Sequence, residues 1–275
     1  MDNSSQIEFW NGEAGGHWVS EARYFDRMLQ PFIPLVLEKA GVAGGGRVID
    51  VGCGSGTLSV AAAEAGADHV TGVDVSAPML SLARERAAPY QSIEFIEADA
   101  SSWSAHQPFN RLISRFGVMF FADPVAAFIQ LRGQLVPGGN LAFSCWQSLS
   151  ENKWALMPIL AVRPLLNDAP QPAEPGAPSP FAFEDATRTA SILKDAGWSK
   201  VDITPWKGEL TLPGDSNDET VDFMMRNGPA ARLMKDHDLD PDRARAALEA
   251  ALSKISSDDG PVAVDAAAWI VSATA

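Results

Sequence analysis

The chain has 275 residues and carries 21 Lys and Arg against 35 Asp and Glu, so its formal net charge is −14. This length suits one large α/β domain or two small ones, and a composition of 46% hydrophobic and 20% charged residues argues against wholesale disorder. The acidic balance argues against nucleic acid and anionic membranes as partners, because both recruit clustered Lys and Arg.

The cysteines and the N-terminal residues bear on the cellular compartment. Cys53 and Cys145 lie far apart and belong to no Cys/His cluster, which argues against a disulfide scaffold and against a metal site. The polar N-terminus lacks the apolar run of a secretory signal, and no segment reaches the roughly 20 apolar residues of a membrane helix. We therefore expect a cytoplasmic location, with monomer and homodimer both open.

Short apolar runs alternate with helical patterns from residue 47 to residue 146. A helix is expected at 57–66, and Ser76 and Asp123 are expected to cap two further helices. This alternation is typical of right-handed βαβ units around a parallel sheet. The predicted strands of this part are 47–53, 69–75, 93–99, 111–117 and 140–146.

The C-terminal part of the chain is less regular. A proline-rich loop is expected at 164–180 and a helix at 185–197. Strands are expected at 201–212 and 266–275, with a mostly helical insertion at 216–257 between them. These two strands would complete a sheet of seven.

A glycine-rich turn, DVGCGSG at 50–56, joins the first strand to the following helix. Glycines in such a turn let a ligand approach the backbone beside a helix N-terminus. Asp74 and Asp99 end the second and third strands, at the edge where open α/β sheets bind their ligands. A carboxylate at the position of Asp74 can accept hydrogen bonds from both ribose hydroxyls of a nucleoside.

The turn departs from the dinucleotide pattern GxGxxG, because Thr57 stands where the third glycine is required. Asp50, directly before the turn, would repel a pyrophosphate and attract a cation. S-adenosylmethionine carries a sulfonium and an ammonium group and has no phosphate. Electrostatics therefore favour S-adenosylmethionine over a nicotinamide dinucleotide.

The runs DVGCGSG, VDVS and EADA and the Pro-Gly-Gly turn at 137–139 resemble the class I S-adenosylmethionine-dependent methyltransferases. These sequence motifs are most similar to those of the small-molecule methyltransferases related to the ubiquinone and menaquinone C-methylases. The resemblance covers 47–146 and extends to WNGEAGGHW, YFDRMLQPF and SRFGVMFFADP, which we associate with a bacterial subgroup of unassigned members.

This resemblance implies a Rossmann-like sheet of seven strands, mostly parallel with an antiparallel last strand, with helices on both faces and a helical insertion or lid. It also implies S-adenosylmethionine as cofactor and S-adenosylhomocysteine as product. We expect three parts, which are an N-terminal helical cap at 1–46, a cofactor-binding core at 47–146 and a C-terminal part at 147–275. The last part would carry acceptor-pocket insertions at 147–184 and 213–262.

The family also implies roles at the methionine end of the cofactor. Asp50 and the backbone of Gly52 and Gly54 would face the methionine. Arg115 stands where the family places backbone contacts near the methyl donor.

At the nucleoside end, the resemblance implies that Asp74 takes the ribose hydroxyls and that Val75 packs on the adenine. Asp99 would meet the adenine amino group, with the Ala100 backbone beside it. Taken alone, Asp99 is equally suited to cap a short helix at 101–103.

Methyl transfer from a sulfonium is a direct displacement, and orientation alone can supply about 7–11 kcal/mol. The acceptor is expected to be a small molecule that receives the methyl on O, N or C. His17 is the one histidine that suits a general base, although a general base is needed only if the acceptor must lose a proton.

Aromatic residues mark two further candidate segments. Trp10, Trp18 and Tyr24 precede the sheet. They belong either to a lid over the cofactor or to the ordinary hydrophobic core. In a lid, an aromatic ring near the sulfonium would stabilise the bound cofactor by roughly 0.5–2 kcal/mol through cation–π attraction. The residues after the fifth strand that we expect to line the acceptor pocket are Trp146, Asn152 and Trp154.

Two other functions remain open at this point. One is a non-catalytic protein that binds S-adenosylmethionine or S-adenosylhomocysteine, and the other is a nicotinamide oxidoreductase. Methylation of nucleic acid is disfavoured by the charge. It is also disfavoured by residues 114–117, which read SRFG where base methylases carry an NPPY-type run.

Overall fold

One sheet of seven strands organises the chain. The computed structural model describes residues 3–168, 176–256 and 260–275. The strands are β1 (Arg47–Val51), β2 (His69–Asp74), β3 (Ile93–Glu97), β4 (Phe109–Arg115), β5 (Leu135–Trp146), β6 (Ser199–Thr211) and β7 (Ala263–Thr274).

The strands lie in the order β3-β2-β1-β4-β5-β7-β6. The first five pair in parallel, whereas β7 runs antiparallel to both β5 and β6. The predicted fold class is therefore confirmed. The chain winds outward from β1 through β2 to β3 and then returns to β4 on the other side, so the carboxyl ends of β1 and β4 flank a topological switch point. Ligands of open α/β sheets bind at such a point.

Twelve α-helices surround the sheet in the described part of the chain. No helix within these residues combines the length and apolar character needed to cross a bilayer. The helices are α1 (Ser4–Asn11), α2 (Glu13–Ser20), α3 (Ala22–Leu29), α4 (Phe32–Ala40), α5 (Thr57–Glu64), α6 (Ala77–Arg86), α7 (Pro124–Arg132), α8 (Lys153–Val162), α9 (Ala186–Asp195), α10 (Asn217–Arg226), α11 (Gly228–Asp236) and α12 (Pro241–Leu252).

Neighbouring residues of the central strands enter different hydrophobic clusters. Val48 of β1 and Ile113 of β4 pack in a cluster with residues of α4 and α5. Ile49 and Leu112, one position away in the same strands, pack in a larger cluster with residues of α7 and α9. Because successive side chains of a strand point to opposite faces, both faces of the sheet are covered.

The helical insertion has a hydrophobic cluster of its own. Apolar residues of α8, α10, α11 and α12 pack there with Leu212, Val262 and Val264, which flank or begin the last two strands. The mostly helical character expected for 216–257 is confirmed for its described residues.

Local details differ from the sequence prediction at two points. The Pro-Gly-Gly turn lies inside β5, where the pairing with β4 shifts register and Gly138 adopts a φ of +77°. Ser76 precedes α6, yet its hydroxyl donates to the carbonyl of Trp10 (2.8 Å) and not to the helix. Asp123 caps α7 as expected, by accepting from the amide of Ala126.

We predict that Gly56→Ala lowers the free energy of unfolding by roughly 2–5 kcal/mol. Gly56 has a φ of +78°, and a Cβ there would lie 2.9 Å from the Cβ of Ala83 and 3.0 Å from Cζ of Phe95. Urea titration followed by circular dichroism measures the loss.

Gly138→Ala is the matched control, because Gly138 has nearly the same φ, +77°, with nothing within 4 Å of the added Cβ. Its expected loss is only the backbone cost of about 1–2 kcal/mol. Equal losses in the two variants would contradict the packing argument.

Candidate functional site

The glycine-rich turn after β1 is pressed against the neighbouring loops. Gly52 and Gly54 have φ values of +64° and +53°, which favour glycine. A Cβ on Gly52 would lie 2.8 Å from Cα of Gly117, so the loops after β1 and β4 touch. The amides of Gly52 and Cys53 donate to the carbonyl of Val73, at 2.9 and 3.2 Å. Backbone contacts therefore fix the turn at the switch point.

Asp74, at the end of β2, joins two loops through its carboxylate. One oxygen accepts from the amide of Gly54 and the other from the amide of Ser76, both at 2.8 Å. Burial raises the pKa of Asp74, against the lowering effect of the two amides. Each carboxylate oxygen retains a further lone pair for a ligand hydroxyl.

Asp50, at the end of β1, is buried, and only one of its two carboxylate oxygens accepts a hydrogen bond from the described residues. Its Oδ2 accepts from the hydroxyl of Ser59 at 2.6 Å, while Oδ1 has no hydrogen-bond partner among the described residues. Burial raises the pKa of Asp50 to about 7, against the lowering effects of the Ser59 hydroxyl and the charge of Arg115. A buried carboxylate oxygen without a donor is costly, which makes this atom a candidate ligand contact.

Arg115, at the end of β4, carries the opposite charge beside the same turn. Its side chain is 10% exposed, and its Nη2 lies 3.8 Å from Oδ1 of Asp26 on α3. Within the described chain, Nη1 has no hydrogen-bond partner. Burial lowers the pKa of Arg115, against the raising effects of Asp26 and Asp50.

Asp26 is itself held by two shorter contacts. It accepts from the hydroxyl of Thr57 and from Nη2 of Arg86, both at 2.6 Å. Arg86 also donates to the carbonyl and the hydroxyl of Ser55 in the glycine turn. The N-terminal helix α3 is thereby linked to the turn.

These groups surround a cavity of about 30 Å³, which has room for one or two water-sized groups. A nucleoside needs more space than this cavity provides. Among the predicted cofactor residues, the cavity brings together Asp50, Gly52, Gly54 and Arg115. The other lining residues are Trp18, Leu29, Cys53, Ser55 and Leu58.

Two asparagine side chains of the N-terminal segment form hydrogen bonds with the loops after β2 and β3. Asn11 donates to the carbonyl of Val75 (2.7 Å) and accepts from the amide of Ala77 (3.0 Å). Asn3 donates to Oδ1 of Asp99 (2.9 Å). The groups expected to meet adenine are therefore engaged by the protein's own side chains.

The loop after β3 departs in detail from the prediction. β3 ends at Glu97, so Asp99 lies in the following turn, where it also accepts from the amide of Ser101 at 2.9 Å. Residues 100–102 form a turn and no helix. Ala100 is buried in the larger cluster.

The aromatic residues of the N-terminal segment occupy different places. Trp18 lines the small cavity and stacks on Phe25, with ring centroids 3.8 Å apart. Trp10 meets Trp18 edge to face at 6.0 Å. Tyr24 lines a second, open cleft of about 320 Å³ between α2, α3 and α10. The remaining residues of this cleft are Ser20, Glu21, Arg23, Glu219, Asp222 and Arg226.

Polar side chains that line the second cleft are paired with one another. Tyr24 donates to Glu219 at 2.5 Å, and this hydrogen bond raises the pKa of Tyr24, so the phenol keeps its proton. Arg226 pairs with Glu21 at 2.6 Å.

The predicted acceptor residues after β5 lie elsewhere. Trp146 is buried and stacks on Phe116 at 4.1 Å. Asn152 is fully buried, donates to the carbonyl of Ala267 and accepts from the amide of Ala267 and from the ring nitrogen of Trp154. Asn152 ties the loop after β5 to the backbone of β7, and these three side chains line neither the small cavity nor the 320 Å³ cleft.

His17, the candidate base, also lines neither cavity in the part of the chain that the structure describes. It lies on α2, one turn after Glu13. No group of three His, Cys, Asp or Glu residues that could hold a metal ion occurs within residues 3–168, 176–256 and 260–275.

Several site residues escaped the sequence analysis because their partners are distant in the chain. Ser59 reaches Asp50 only after α5 folds back on β1, and Asp26 meets Arg115 across 89 positions of the chain. Nothing in the pattern around Asn3 and Asn11 distinguishes them from ordinary polar surface residues.

Comparison with known proteins identifies the family. Residues 48–139 match the model of the methyltransferase domain. The demethylmenaquinone methyltransferase of Renibacterium salmoninarum is 30% identical over 186 residues, which cover 64% of this chain and 76% of that protein. The chain therefore belongs to the class I S-adenosylmethionine-dependent methyltransferases.

Other relatives match over shorter lengths. An uncharacterized protein of Mycobacterium tuberculosis is 34% identical over 123 residues, 44% of each chain. The trans-aconitate 2-methyltransferase of Rhizobium leguminosarum is 35% identical over 106 residues, which cover 38% of this chain and 40% of that protein. The matched region thus spans less than half the length of these two relatives.

Solved structures share the fold at low sequence identity. The YcgJ protein of Bacillus subtilis has a TM-score of 0.59 at 14% identity, covering 89% of this chain and 98% of that one. The cyclase SpnF has a TM-score of 0.53 at 19% identity, covering 89% and 80%. A cyclase on this fold shows that the architecture alone does not define the reaction.

The raised pKa of Asp50 predicts a pH-dependent stability. The folded chain binds this proton more tightly than the unfolded chain, so the stabilisation is complete below about pH 4 and is lost as the pH rises to about 7. We expect the wild type to lose roughly 3–5 kcal/mol across this window relative to Asp50→Asn. Urea unfolding at a series of pH values measures the difference.

Ser59→Ala serves as the control. The Ser59 hydroxyl lowers the pKa of Asp50, so its removal should extend the loss of stability to higher pH. Parallel pH profiles for the wild type and Asp50→Asn would contradict this account.

Proposed function

We propose that this chain transfers the methyl group of S-adenosylmethionine to O, N or C of a small-molecule acceptor by direct displacement. The observation that carries the proposal is the unpartnered Oδ1 of Asp50 in the cavity at the glycine turn. A buried carboxylate there attracts a cationic ligand and repels a pyrophosphate. The site thus suits a sulfonium nucleoside better than a nicotinamide dinucleotide.

The neighbouring groups suit the remainder of the ligand. The free lone pairs of Asp74 are placed to accept from the ribose hydroxyls. Asp99 is assigned to the adenine amino group, with Val75 against the ring and the Ala100 backbone beside it. The amide of Asn3 already donates to Asp99 at 2.9 Å, which supports an amino group as a ligand for that carboxylate.

The bound cofactor supplies an activated methyl group, so the task of the protein is alignment and exclusion of water. Asp50, Gly52 and Arg115 would hold the methionine end. Trp18 lines the same cavity, where its ring would stabilise the cation. No general base is assigned.

The acceptor is proposed to enter through the 320 Å³ cleft that contains Tyr24 and Glu219. Phe25, next to the cleft residue Tyr24, stacks on Trp18 of the small cavity. Phe25 also meets Phe223, next to the cleft residue Asp222, at 5.1 Å. The size of the cleft suits a small molecule, and its charged rim suits a polar one.

Calorimetry tests the cofactor assignment. The wild type is expected to bind S-adenosylhomocysteine and not NADH. Asp74→Asn is expected to weaken that binding roughly 10–100-fold, because a hydrogen bond to a charged group is worth about 1.5–3 kcal/mol. Asp185→Asn is the control, since Asp185 accepts two backbone amides at the start of α9, outside both cavities of the described chain. Tight binding of NADH would refute the proposal.

Activity is tested with a metabolite mixture and a donor whose methyl group is isotopically labelled. Transfer of the label supports catalysis, and inversion at a chiral methyl group supports a single displacement. Binding of S-adenosylhomocysteine without turnover over a broad acceptor panel would favour a non-catalytic role instead.

A further test concerns the N-terminal segment as a lid. Asn11 forms hydrogen bonds with the backbone of Val75 and Ala77. In a lid these bonds would favour the closed state, so we expect Asn11→Ala to bind S-adenosylhomocysteine about 2–10-fold more tightly. Isothermal titration measures the affinity. Asn110→Ala is the control, because Asn110 also bonds a backbone amide, that of Arg47, at the opposite edge of the sheet. Weaker binding by Asn11→Ala would show that the closed segment favours the bound state.

A further inference from the structure

Two residues of opposite charge, Asp50 and Arg115, line the small cavity, and each has one buried polar atom without a hydrogen-bond partner among the described residues. Oδ1 of Asp50 and Nη1 of Arg115 are both buried and both lack a partner among the described residues. Both residues line the cavity, and each shifts the pKa of the other. Buried polar atoms are nearly always satisfied, so this pair of atoms calls for a ligand that carries both charges.

Structural pairing does not account for Arg115. Its nearest acid, Asp26, lies 3.8 Å away, beyond hydrogen-bond distance. Asp26 is already bound at 2.6 Å by both Thr57 and Arg86. The ion pair of Nη2 with Asp26 therefore leaves Nη1 of Arg115 without a hydrogen bond among the described residues, in a side chain that lines the cavity.

The backbone holds Arg115 in this place. The next residue, Phe116, has a φ of +61°, which is uncommon for a bulky side chain. Stacking of Phe116 on Trp146 and donation of its amide to the carbonyl of Ser144 (3.1 Å) stabilise this conformation. Strained backbone of this kind is concentrated at binding sites.

We propose that the guanidinium of Arg115 binds the α-carboxylate of the cofactor's methionine end, opposite the α-ammonium group that Asp50 receives. The inference rests on the proposed function and assigns the side chain of Arg115, in place of a backbone contact, to cofactor recognition. The planar donors of arginine match a carboxylate, and such charge-assisted bonds are the strong ones. An amino-acid zwitterion satisfies both unpartnered atoms at once.

The test compares S-adenosylmethionine with its decarboxylated analogue, which lacks only the α-carboxylate. We expect the wild type to prefer S-adenosylmethionine by about 10–100-fold in dissociation constant. Arg115→Met should lose most of this preference, by weakening the binding of S-adenosylmethionine and leaving that of the analogue within about threefold. Calorimetry gives both constants, and thermal melting checks the fold.

Arg86→Met is the matched control. This substitution removes a neighbouring guanidinium, which donates hydrogen bonds to Asp26 and Ser55. Arg86 does not line the small cavity. We expect it to change both affinities by the same factor and so to keep the wild-type preference.

Equal weakening of both ligands in Arg115→Met would overturn the assignment. Equal affinity of the wild type for both ligands would also overturn the assignment. That result does not depend on whether a variant folds. A wild type that binds neither ligand would refute the proposed function, and this inference with it.

Discussion

The site depends on one buried carboxylate that the protein does not fully satisfy. Asp50 is 1% exposed, and burial raises its pKa to about 7, while a single serine hydroxyl supplies its one hydrogen bond. The chain keeps an unfavourable group at the position where its sheet presents a ligand-binding edge. Such a cost is explained most simply by a cationic ligand that completes the interaction. The glycine turn, the acid of β2 and Arg115 are all arranged around this group.

The core of the fold was predictable because its signals are local in sequence. Parallel strands buried on both faces appear as short apolar runs, and glycines and acids at their ends mark the binding edge. The seven-stranded sheet and its antiparallel last strand are confirmed. The positions of Asp50, Asp74 and Asp99 near strand ends were predicted from the sequence, and the cofactor roles assigned to them remain proposals.

The surroundings of the site were not predictable in the same way. Asn152 follows β5 at the ligand edge, yet it folds back to bond the backbone of Ala267, more than one hundred residues later. Trp146 belongs to the larger hydrophobic cluster and the partly buried Trp154 packs against it, while their expected place at an acceptor pocket stays a prediction. A pattern of residue types shows where a side chain lies along a strand or helix, but not which distant backbone group it meets.

The anchoring of α3 restricts how the N-terminal segment can open. Asp26 on α3 forms an ion pair with Arg86 and lies beside Arg115, so displacement of α3 would remove the acid next to the arginine that lines the cavity. Trp18, by contrast, lies on α2, and Asn3 and Asn11 lie before it. Under the proposed function, an opening that leaves α3 in place would bend the chain between α2 and α3, near Glu21. The ion pair of Glu21 with Arg226 connects this point to the helical insertion. Release of the cofactor and entry of the acceptor would then depend on the same short segment.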